Sequence, residues 1–67
     1  MLEKWTGAMV GKMHIHKVTL EEMASEMGDG KAYVSMILNG ARKPDGIKAR
    51  MEAAFDAIIA RRKEQKD

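Results

Sequence analysis

A chain of 67 residues has room for one small domain, and its lack of cysteine excludes disulfides and cysteine-ligated zinc or iron-sulfur centres. A hydrophobic content of 45% beside 33% charged residues is the balance of a chain that folds, and the net charge of +2 gives only weak general attraction to nucleic acid. No apolar run approaches the ~20 residues that span a bilayer. Residues 1–5 also lack the basic start and long apolar centre of a signal peptide, so the expected location is cytoplasmic.

Trp5, Met9 and Met13 recur every four residues and predict a first helix over about residues 2–14, with Ala8 beside the stripe. Gly7 and Gly11 each weaken it by up to ~1 kcal/mol relative to alanine, so it depends on docking. Residues 15–18 read as a connector. Thr19 then suits an N-cap, and Glu22 three residues later completes a capping box. A second helix covers residues 20–27, with Leu20, Met23, Ala24 and Met27 toward the core. Gly28-Asp29-Gly30 is a turn in which two glycines permit positive φ and Asp29 is placed to cap the next helix.

The third helix starts at Gly30 or Lys31 and runs to Leu38, where Asn39-Gly40 supplies a stop. Residues 41–44 form a short basic loop, and Asp45 after Pro44 is expected to cap the last helix. That helix, over about residues 45–63, carries Ile47, Met51, Ala54, Phe55, Ile58 and Ile59 and is either continuous or bent. Residues 63–67 have no apolar anchor and are expected to fray. No strand, repeat or low-complexity segment is found. The predicted fold class is all-α, a four- or five-helix bundle forming a single domain over residues 1–67.

The segment 19–40 carries the functional signal. Two short helices crossing steeply need a small residue at their contact, a turn residue between them and apolar residues facing back, and Ala24, Gly28, Val34 and Ile37 fill those places. With Val34 and Ile37 inward, an advance of ~100° per residue puts Ala32, Ser35, Met36 and Asn39 on the outer face of the third helix. Lys31 and Tyr33 fall on its flanks. In a DNA major groove, Ser35 can exchange a hydrogen bond with a base edge, Ala32 and Met36 can meet a thymine methyl, and Lys31 can reach guanine or phosphate. Arg42 and Lys43, directly after this helix, are placed for the phosphate backbone.

Other constellations are silent. His14 and His16, two residues apart, are poorly spaced to share a metal on a helix, and a solvated or capping role is expected. There is no Gly-rich phosphate loop after a strand and no Ser/His/Asp set on a scaffold, so no catalytic, cofactor or metal site is predicted and the chain is not read as an enzyme. The seven methionines suit adaptable core filling. Phe55, Ile58 and Ile59 exceed a narrow stripe, because adjacent Ile58 and Ile59 point ~100° apart. One of them is therefore expected to face a second subunit, and a two-fold dimer would set two such helices about 34 Å apart, one DNA turn.

Ala24, Gly28, Val34 and Ile37, followed by Leu38-Asn39-Gly40 and Arg42-Lys43-Pro44, resemble the Cro and lambda-repressor-like helix-turn-helix domains, over roughly residues 18–59. The resemblance implies a bundle of four or five helices that binds operator DNA, usually as a homodimer. It makes Lys31, Ala32, Ser35 and Met36 candidates for facing bases, Tyr33 and Asn39 for phosphate or base-edge contact, and Arg42 and Lys43 for the backbone beyond. Two positions depart from the family pattern: Leu20 stands where relatives often carry a glutamine that holds a phosphate, and Asp29-Gly30 replaces an apolar residue followed by Ser or Thr. The expected function is that of a transcriptional regulator of the phage or mobile-element repressor type, since the chain carries no second domain for sensing or activation. The alternatives are an antitoxin-like regulator whose terminal helix binds a protein partner, or a helical protein-interaction module that uses the fold without DNA.

Overall fold

The computed structural model describes residues 4–65. Over them the chain is all-helical, with α1 at Lys4–His16, α2 at Leu20–Met27, α3 at Lys31–Leu38 and α4 at Ile47–Gln65, and no strand. Leu2, where the first helix was expected to begin, lies outside the described residues.

Local chemistry sets most of these boundaries. Thr19 is extended and caps α2 as predicted: its Oγ1 accepts from the Glu22 N–H at 3.1 Å, and the Glu22 carboxylate accepts from the Thr19 N–H at 3.0 Å. The first three helices all close in one way. Lys17, Gly28 and Gly40 take left-handed φ values of 57°, 77° and 85°. The N–H of the next residue then reaches five residues back, from Val18 to Met13, Asp29 to Ala24 and Ala41 to Met36, at 2.8–2.9 Å. This pattern satisfies carbonyls that a helix end would otherwise leave unpaired.

At the first of these ends a lysine does what glycine does at the other two. That is why α1 continues to His16, two residues beyond the expected boundary. Ile15, 73% exposed, adds nothing to the apolar stripe, and no glycine marks the stop.

Two expected caps do not form as predicted. The N-cap of α3 is Gly30 with no side-chain hydrogen bond, and Asp29 turns to Arg50 instead. The last helix begins at Ile47 rather than at 45, after left-handed Gly46 (φ 73°), with the Ile47 N–H donating to the Pro44 carbonyl at 3.2 Å. It is one continuous helix of 19 residues, about 28 Å long. It includes residues 63–65, which were expected to fray, and residues 66–67 lie outside the described part.

The core gathers residues from every helix. Met9 and Met13 of α1, Met23 and Ala24 of α2, Val34, Ile37 and Leu38 of α3, and Ile47, Met51, Ala54, Phe55 and Ile58 of α4 are all buried, and Val18 plugs the connector. Trp5, Leu20, Met27, Tyr33 and Ile59 pack around them. Thr6 is buried in α1 while Ala8, expected beside the apolar stripe, is exposed. Helix α2 packs on both α3 and α4, and α1 closes the bundle against the same two.

Phe55, Ile58 and Ile59 all serve this core: the first two are 3% and 2% exposed, and Ile59 is half-buried against it. One of the three was expected to face a second subunit, yet α4 turns none of them fully outward. The large exposed apolar side chains among the described residues are Val10, Ile15 and Met36.

Candidate nucleic-acid interface

Helix α3 carries the predicted contact residues, and its orientation comes from what it buries. Val34 and Ile37 are almost fully buried and Leu38 is 8% exposed. Their inward anchoring leaves Lys31, Ala32, Met36 and Asn39 exposed and Ser35 half-buried. Ala32 and Met36 stand one turn apart on the outside. Ser35 and Asn39, also one turn apart, line an apolar groove of about 400 Å³ shared with Val10, Met13, His14, Val18, Leu20 and Leu38. The predicted face is thus divided between an outer ridge and a groove wall. Tyr33 is partly committed to the core.

Asn39 has less freedom than its exposure implies. Its Oδ1 accepts the Ala41 N–H at 3.1 Å, so the amide NH₂ is the group left to donate outward. The same local turn directs Arg42, whose N–H donates to the Met36 carbonyl at 3.2 Å, and both Arg42 and Lys43 are exposed. The loop therefore begins by folding back on the end of α3, and Lys43 beyond it lines a pocket with Trp5 and the start of α4.

The basic residues fall into two groups that the sequence alone does not separate. Arg50, Arg61 and Arg62 of α4 pair with Asp29, Glu26 and Glu22 at 3.1, 2.7 and 2.9 Å. Numbers rise along the acidic side as they fall along α4, the order of an opposed helix pair. Among the described residues no carboxylate pairs with Lys31, Arg42 or Lys48. Charge that looks segregated in the sequence is cancelled where α2 meets α4, while Lys31 of α3 and Arg42 of the loop after it are left without such a carboxylate among the described residues.

Arg62 does most to join these elements. Its Nη2 contacts both Glu22 carboxylate oxygens at 2.9 Å and donates to the Lys17 carbonyl at 3.1 Å, while Nη1 donates to the His16 carbonyl. The Thr19 N–H and then this guanidinium hold the Glu22 carboxyl below its ordinary pKa. Neither histidine is buried: His14 lines the groove, and the ring of His16 meets Phe55 edge-on at 5.6 Å. Lys12 Nζ covers another part of Phe55, 5.1 Å from the ring centroid.

Sequence reasoning missed the groove and the three cross-helix pairs. The spacing Glu22-x3-Glu26 marks one edge of α2, but which arginines face it depends on how α4 crosses. Comparisons with protein-family models, with curated proteins and with solved structures gave no match to this chain.

Proposed function

We propose that this protein is a sequence-specific DNA-binding transcriptional regulator, a repressor of the phage type, whose α2 and α3 act as a helix-turn-helix of the lambda-repressor-like kind. The observation that carries the reading is the arrangement at α3. A left-handed Gly28 ends α2, and Val34 and Ile37 anchor α3 inward. Lys31, Ala32 and Met36 are exposed, and Arg42, with no carboxylate partner among the described residues, is on the loop just beyond. A helix held by one face and bare on the other, beside loop cations, suits insertion in a major groove with the loop on the phosphates.

Affinity then comes mostly from Lys31, Arg42 and Lys43, and sequence preference from methyl contacts by Ala32 and Met36, hydrogen bonds from Ser35 and Asn39, and DNA shape. Tyr33, half-buried, contributes its exposed edge. The test is selection of bound duplexes from a random pool. An enriched motif supports the reading, and two half-sites one turn apart add the homodimer. Absence of any duplex binding at low salt overturns it.

The rival is a protein-interaction module, and the observation favouring it is the apolar groove lined on α1 by Val10, which is 48% exposed. That groove is lined in part by the first helix, whereas an antitoxin-like partner contact was expected on the last. Under this rival the chain ignores DNA and captures a protein.

A further inference from the structure

Asp29 stands two positions before Lys31, in the turn that leads into α3, so at most about 7 Å of chain separates it from the first exposed cation of that helix. A bare carboxylate there would set a negative charge beside the cation that a phosphate approaches, and salt would screen their repulsion only in part. It is not bare. Arg50 Nη2 donates to Asp29 Oδ2 at 3.1 Å and to the Met27 carbonyl at 3.3 Å, reaching across from α4 to both sides of the turn.

We propose that Arg50 is a positioning residue for DNA binding: it touches no DNA, and raises affinity by neutralising Asp29 and holding the turn ahead of α3. The inference rests on the DNA-binding reading above. Its physical basis is a division of labour among the cations. Lys31 and Arg42 have no carboxylate partner among the described residues and are available to phosphate, whereas the Arg50 guanidinium is committed to the turn. The Arg50 and Asp29 side chains are 50% and 25% exposed, and pairs so exposed add little to folding stability. A merely structural role would therefore leave affinity almost unchanged.

The experiment is a double-mutant cycle read as duplex affinity, using a duplex recovered from the random-pool selection, with thermal melts confirming that each variant is folded. Arg50→Met is expected to weaken binding roughly five-fold at about 0.1 M salt, the scale of one uncovered charge facing several partly screened phosphates. Asp29→Asn removes one negative charge whether or not Arg50 is present, so it is expected to raise affinity several-fold in the wild-type background and to return Arg50→Met to about wild-type affinity. Arg50→Lys keeps the charge and is expected to stay within about two-fold of wild type. Failure of Asp29→Asn to restore affinity in the Arg50→Met background, or wild-type affinity in Arg50→Met, overturns the proposal while the DNA-binding reading stands. Failure of the wild-type chain to bind any duplex removes that reading and this proposal together.

Discussion

Replacing Arg62 with alanine tests whether the bundle is closed by its polar clasp as well as by its core. Arg62 meets Glu22 with both side chains more than a third exposed, 38% and 39%, so the ion pair contributes only about 0.5 kcal/mol. Its bonds to the His16 and Lys17 carbonyls satisfy the end of α1, and at this exposure each adds about 0.5 kcal/mol. The substitution strands no carboxylate, because Glu22 keeps the Thr19 N–H at 3.0 Å. The sum is about 1.5 kcal/mol, and for a domain of this length 1 kcal/mol moves the midpoint by roughly 4–8 °C, so Arg62→Ala is expected to lower Tm by about 6–12 °C. Thermal unfolding monitored by helical circular dichroism reads this directly. Urea unfolding should show a lower midpoint with an unchanged slope, since the surface exposed on unfolding is nearly the same. A shift under about 2 °C would refute the claim that these contacts close α1 onto α4.

Three other outcomes are expected from named residues. Gly11→Ala should raise stability by up to ~1 kcal/mol, because Gly11 lies inside α1 and an added Cβ meets nothing within 4 Å; a lower melting temperature would contradict this. The Glu22 carboxyl has its pKa lowered in the folded state, so its stabilisation is fully present above its unfolded value, near pH 4.5, and is lost as pH falls through the folded value. Glu22→Gln should accordingly flatten the acid limb of a stability-versus-pH curve below about pH 4.5, and an unchanged limb would count against the contact. Arg42→Ala should weaken binding to all duplexes alike and reduce the salt slope by about one unit, whereas a loss confined to one base position would reassign Arg42 to base contact.

The sequence by itself determined the local features, because these depend on residues a few positions apart. Thr19 and Glu22 specify the start of α2, and Gly28 and Gly40 specify two helix ends through the left-handed backbone they accept. The three-residue step from Val34 to Ile37 fixed which face of α3 is buried, and hence that Lys31, Ala32, Met36 and Asn39 are exposed. Where a boundary used an unusual residue, as with left-handed Lys17, the sequence signal stopped short.

Tertiary structure decided what lies across helices. Asp29 was legible as a cap by proximity, yet Arg50, 21 positions away, takes it because α4 crosses the turn. Ile58 and Ile59 together were too wide for a narrow stripe, yet the surrounding helices form a pocket broad enough to take one fully and the other in part. Charge separation along the chain likewise became neutrality at the α2–α4 contact. Periodicity gives each helix its own inward face, but it carries no information on crossing angle or direction. Those are set only when all the apolar faces are buried together, and they determine which cations are left for a partner.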